Sequence, residues 1–173
     1  ASTPERRRLA ETGTLRSAAM ADKGEEVVLV ATSILSDAKV APELEAEARH
    51  YRAKALVAAG QMQHAVADWT ELAKDTRNVY GAEAKYRLAQ QLYDEGKYGE
   101  VEKEVLEFVD SGTPHAYWLA RSFVLMADAY MKLDRQLEAR QYLLSLKQNY
   151  QAEDDIAGMI ESRLEKMNEE NKQ

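Results

Sequence analysis

The sequence predicts an all-α protein built as a row of helical hairpins, and three observations carry that expectation. Helix-favouring residues (Ala, Leu, Glu, Lys, Arg and Gln) dominate the chain, which holds only eight Gly, three Pro and two Phe. Ala-Glu-Ala-Arg at 46 to 49 returns as Ala-Glu-Ala-Lys at 82 to 85, an offset of 36 residues. The offset then holds for many further positions: Ala53 with Ala89, Leu56 with Leu92, Gly60 with Gly96, Ala65 with Val101 and Leu72 with Phe108. A second step, of 38 residues, takes Ala89 to Ala127, Leu92 to Tyr130, Gly96 to Asp134, Val105 to Leu143 and Phe108 to Leu146.

Each unit opens with a helix, because apolar residues such as Leu88, Ala89, Leu92 and Tyr93 recur at steps of three and four. That helix should stop at Gly60, at Gly96 or at Leu133-Asp134, where a left-handed residue closes a helix at low cost. A second helix follows, with Ala65, Val66, Trp69 and Leu72 inward in one unit, Val101, Val105 and Phe108 in the next, and Ala139, Tyr142, Leu143 and Leu146 in the last. Residues 42–76, 79–111 and 114–150 thus read as three hairpins, with Thr113 as a cap and Pro114 in the first turn of the helix that follows.

Upstream, residues 4–40 fit a degenerate hairpin. Thr3 caps it, Pro4 opens it, Asp22-Lys23-Gly24 turns it, and Val27, Val28, Ala31, Ile34 and Leu35 form the second face. Gly13 is expected either to break the first helix or to mark a close approach. Downstream, Glu153-Asp154-Asp155 sets negative charge where a helix dipole favours it, and Ile156, Met159, Ile160, Leu164 and Met167 make one apolar stripe over 152–170. This last element reads as a capping helix with a charged outer face. Together these segments make residues 1–173 a single domain of ordinary size.

Charge and composition exclude several classes of function. With 30 acidic and 23 basic residues the net charge is -7, so no broad cationic field exists to hold nucleic acid. The chain has no cysteine, which rules out disulfides, thiolate metal sites and thiol nucleophiles. Apolar runs such as Val27 to Ala31 fall far short of the roughly 18 residues of a membrane span, so direct membrane insertion is not expected. The chain begins at Ala1 rather than Met, leaving room for a leader, an upstream domain or further upstream repeats.

The repeat resembles the tetratricopeptide repeat (TPR), a helix-turn-helix unit of about 34 residues with the loose pattern W-x2-L-G-x2-Y, A-x3-F, P. The residues that carry the resemblance are Arg49-x2-Arg52-Ala53-x2-Leu56 with Ala65-x3-Trp69, then Lys85-x2-Leu88-Ala89-x2-Leu92 with Val101-x3-Val105, then Phe123-x2-Met126-Ala127-x2-Tyr130 with Ala139-x3-Leu143. Ala53, Ala89 and Ala127 fall where the two helices would come closest, and Trp69 is expected to be a large buried anchor. The departures are the longer spacing, the missing closing proline, and Arg49, Arg52 and Lys85 in places that are usually apolar.

The resemblance implies a TPR-like α-α superhelix, a right-handed solenoid whose first helices line a concave wall. It is nearest to the divergent repeats of bacterial cell-envelope proteins, including those that help assemble outer-membrane or Tol-Pal machinery. It therefore implies a protein-binding scaffold that is periplasmic or outer-membrane associated, with a protein or peptide as partner. Carried over residue by residue, the concave face would present His50, Lys54, Tyr86, Gln90, Tyr93, Arg121 and Asp128, with Glu47, Glu83, Val124 and Met131 beside them. No asparagine stands among these places, so the resemblance does not extend to the clamp for a C-terminal carboxylate that some members carry.

Nothing in the chain reads as a catalytic, metal or cofactor site. His50, His64 and His115 fall on different elements, with His64 expected in a hairpin turn and His115 exposed in a first helical turn. The pairs Glu102 with Glu104 and Glu107 with Asp110 read as solvated charge. Arg6, Arg7 and Arg8 form the one local cationic run. An enzyme is therefore not expected. The other reading is a TPR-like sensor or regulatory domain of a larger cytosolic signalling or transcription-control protein.

Overall fold

The computed structural model describes residues 3–170; Ala1, Ser2 and 171–173, the outermost ends of the predicted domain, lie outside the described residues. Among the described residues the chain is all-helical, with nine helices: α1 Pro4–Met20, α2 Gly24–Leu35, α3 Pro42–Ala58, α4 Met62–Leu72, α5 Val79–Asp94, α6 Tyr98–Asp110, α7 Ala116–Lys132, α8 Gln136–Asn149 and α9 Ile156–Glu170. They fall into two compact units, Ala1–Ala84 and Lys85–Gln173, with α5 running across the division. In the first unit α1 packs on α2 and α3, α2 on α3, and α3 on α4. In the second, α6 packs on α7, α7 on α8, and α9 on both α7 and α8.

Four hairpin turns are closed by one device. Asp22, Gly60, Gly96 and Asp134 each adopt a left-handed conformation, with φ of 55°, 73°, 76° and 57°. The amide of the following residue then donates back five residues, Lys23 to Ala18, Gln61 to Leu56, Lys97 to Leu92 and Arg135 to Tyr130, at 2.8 to 2.9 Å. This bond satisfies a carbonyl that the helix end would otherwise leave open. Glycine has no Cβ to clash there, and aspartate is among the few other residues that tolerate the conformation. The four positions keep the sequence period, so the degenerate first hairpin turns as the others do.

The charged residues at usually apolar places also repeat, and each has a partner at the same offset. In the first unit Arg52 grips the buried Asp68 carboxylate of α4 with two hydrogen bonds of 2.7 and 2.8 Å, and Arg49 adds a third of 3.3 Å. One repeat on, in the second unit, Lys85 of α5 sits 2.8 Å from Glu104 of α6 and 3.2 Å from Glu107. One repeat further, Phe123 of α7 and Tyr142 of α8 stack with ring centroids 5.9 Å apart. The link between the two helices of a hairpin is thus conserved in position while its chemistry changes from ionic to aromatic.

Apolar packing completes each unit. In the first, Leu15, Ala18, Val27, Ala31, Ile34 and Ala48 form one core, and Ala53, Leu56 and Ala65 form another against Val28 and Trp69. In the second, a single larger core runs from Tyr86 and Ala89 through α6, α7 and α8 to Ile156, Ile160, Leu164 and Met167 of α9. Ala53, Ala89 and Ala127 are buried, as their small size anticipates. Trp69 is only half-buried, because it packs at the edge of a small cluster instead of filling it.

Other local expectations need correction. Gly13 neither breaks α1 nor marks a close approach, since a Cβ added there meets nothing within 4 Å. Gly13→Ala should therefore raise stability by about 1 kcal/mol through helix propensity alone, read as a higher urea midpoint. Thr3 does cap α1, its hydroxyl accepting from the Arg6 amide at 3.3 Å. α7 starts at Ala116, so Pro114 lies outside it, while Thr113 accepts from the amide of His115 at 3.1 Å. His115 is the half-buried N-cap of α7, and His64 lies exposed in the first turn of α4, past the hairpin turn.

Candidate partner-binding surface

In the first unit the predicted wall residues lie on α3 and the start of α5. Glu47 is taken by Arg16 of α1, with hydrogen bonds of 2.6 and 2.8 Å. His50 stacks on Tyr80 at 4.2 Å and meets Tyr51 edge-on at 5.3 Å, with Nδ1 3.8 Å from the Glu83 carboxylate. Burial, with the neighbouring Tyr51, holds the Tyr80 phenol above its ordinary pKa. Lys54 is exposed and lines, with Tyr51 and Ala55, a groove of about 650 Å3 between the α1–α2 turn and α3. Met20 and Leu29 stand unusually exposed nearby, at 89% and 73%.

In the second unit the wall divides. Tyr86 is 5% exposed and is no surface contact: its hydroxyl donates to Gln90 Oε1 at 2.7 Å, Trp118 tilts against its ring, and the Arg121 guanidinium lies 5.3 Å from the ring centroid. Arg121 also donates to the Tyr117 hydroxyl at 2.6 Å and to Asp155 at 3.3 Å. Val124 is buried in the core. Tyr86, Gln90 and Arg121 thus form an internal belt tying α5 to α7 and to the segment before α9, and the expectation that Tyr86 and Val124 face a partner is corrected.

Tyr93, Asp128 and Met131 come together instead in an open groove of about 510 Å3. Its sides are the ends of α5, α7 and α9 and the start of α8. Asp128 is held by Arg163 of α9 through two hydrogen bonds of 2.6 and 2.7 Å, and these bonds in turn raise the Arg163 pKa. Burial and the nearby Asp128 raise that of Tyr93, which keeps its phenol neutral and able to donate. Met131, Leu143 and Met167 supply apolar lining, with Lys132, Gln136 and Lys166 as polar members. Sequence reasoning missed Arg163, Lys132 and Lys166. A signal for Arg163 existed, because it falls on the apolar stripe of α9 and a charge there needs a partner.

The acidic pairs have structural employment. Glu102 accepts from Tyr130 and from Arg135, both at 2.8 Å, and its pKa is lowered, chiefly by Arg135. Glu104 and Glu107 serve Lys85. Among the described residues no group of three or more His, Asp or Glu is placed to hold a metal ion, and no helix is long and apolar enough to cross a membrane. Comparison with protein-family models, with curated proteins and with solved structures finds no match for this chain.

Proposed function

We propose that the chain is a non-enzymatic interaction scaffold of the TPR type, a right-handed array of helical hairpins that binds a protein or peptide along its first helices. The observation that carries this reading is the groove of the second unit, where Tyr93, Asp128 and Met131, places carried over from the family resemblance, converge, with the half-buried Tyr93 and Met131 as its accessible apolar groups. A few accessible apolar groups among polar and charged ones is a composition that protein-binding surfaces share. The repeated turn closures and inter-helix links support the array, because a hairpin alone cannot bury both of its faces and gains stability by stacking. A place in bacterial cell-envelope assembly rests on the family resemblance alone.

Site-specific photo-crosslinking in the native host tests the proposal. A photoreactive phenylalanine at Gln136, exposed at the groove, should capture a discrete protein partner, whereas the same group at the exposed Glu153, outside the groove, should not. Equal capture from both positions, or none from Gln136, would overturn it.

A further inference from the structure

The groove of the second unit carries a local positive excess, with Lys132, Arg163 and Lys166 against Asp128 and Glu170. Lys74, Lys85, Lys97 and Lys147 each hold a carboxylate, as expected in a chain of net charge -7. Lys132, on the last turn of α7, and Lys166, on α9, have no ion-pair partner among the described residues, and both are exposed at the groove. Of the acidic groups there, Asp128 is already neutralised by Arg163, which leaves Glu170 against two uncommitted cations.

We infer that this groove takes an acidic, apolar-bearing protein segment, whose aliphatic or aromatic side chains lie against the half-buried Tyr93 and Met131 while its carboxylates reach Lys132 and Lys166. Charge complementarity argues for that occupant. A basic segment would bring like charge onto both lysines, and a purely apolar one would bury them without a counter-charge. Met131 suits it as well, since a flexible thioether side chain adapts to more than one apolar shape. The inference rests on the scaffold reading and names the chemistry of its partner.

The test is selection of a random peptide display library against the full chain, followed by affinity measurement of the enriched peptides at low and high salt. Peptides rich in Asp or Glu together with Leu, Phe or Trp should be enriched, and their affinity should fall as salt rises. The double variant Lys132→Glu with Lys166→Glu should bind them about tenfold or more weakly. Its melting temperature should fall by only about a few degrees, because both side chains are exposed and only favourable helix-end charge interactions are lost. Enriched peptides that lack acidic residues, or whose affinity is unchanged in the double variant, would overturn the inference while leaving a scaffold intact. So would loss of binding in that variant alongside a change from dimer to monomer in sedimentation, which would assign the groove to a second copy of this chain. Failure to enrich any peptide would overturn the inference, and the scaffold reading would then be decided by crosslinking at Gln136.

Discussion

Gly81→Ala should destabilise the protein by about 3 kcal/mol or more, a drop of roughly 10 °C in melting temperature for a chain of this size. Gly81 lies in the first turn of α5, and a Cβ there would collide with the Asp75 carbonyl oxygen and stand 2.6 Å from that of Leu72. Both obstacles are backbone atoms, one at the end of α4 and one in the turn that follows, so neither can swing aside. The turn between them is fixed at both ends: the Asp75 carboxylate accepts from the Arg77 amide at 3.1 Å, and Asn78 caps α5 by accepting from the Tyr80 amide at 2.8 Å. Relief would require α5 to move away from α4. Helix propensity alone favours Ala by about 1 kcal/mol, so the sign of the effect separates steric exclusion from propensity. Gly13→Ala, the same change in an open helix, provides the internal control. An unchanged or raised melting temperature for Gly81→Ala would show that α5 does not lie on the α4–α5 turn in this way.

The second large effect is expected at Asp68. Asp68 is 1% exposed and carries the ionic link between α3 and α4, so Asp68→Ala leaves the half-buried Arg49 and Arg52 without their shared carboxylate. Breaking a buried ion pair from one side costs about 3 to 5 kcal/mol. The lower end applies here, because the two arginine side chains remain 22% and 21% exposed and Arg49 keeps Glu45 at 3.0 Å. The triple change Arg49→Met, Arg52→Met and Asp68→Leu should recover most of that loss, since apolar residues of similar volume commonly replace such a cluster without penalty. The third repeat already uses that solution in the stack of Phe123 on Tyr142. Chemical denaturation of the single and triple variants measures both effects. A single variant within about 0.5 kcal/mol of the parent would mean the network is ornamental.

Much of this architecture was legible because a repeat makes the chain its own comparison. Gly60 and Gly96 announced the turns, and their period pointed to Asp134. The inter-helix links were half visible. Arg49 and Lys85 stood out as charges in apolar places, yet Asp68 and Glu104 keep the same offset as their partners and that pairing was open to reading. The wall was harder. Tyr86 and Tyr93 lie seven residues apart on one face of α5, and periodicity treats them alike. Their fates diverge because Trp118 and Arg121 cover the first, while the second meets the edge of the groove. Which stretch of a helix face a neighbour covers depends on tertiary packing, and helical spacing carries no record of it.

In the first unit the first hairpin leans on the second, α2 against α3, and a cysteine-free chain allows a direct measurement of that packing. A Cβ at Gly24, the first residue of α2, would lie 3.9 Å from the Cβ of Ala55 on α3, within the range a disulfide requires. The variant Gly24→Cys with Ala55→Cys should oxidise to an intramolecular disulfide under mild conditions, seen as a two-proton mass loss in a monomer of raised melting temperature. Free thiols after oxidation, or linkage only between chains, would contradict the stacking of the first hairpin on the second.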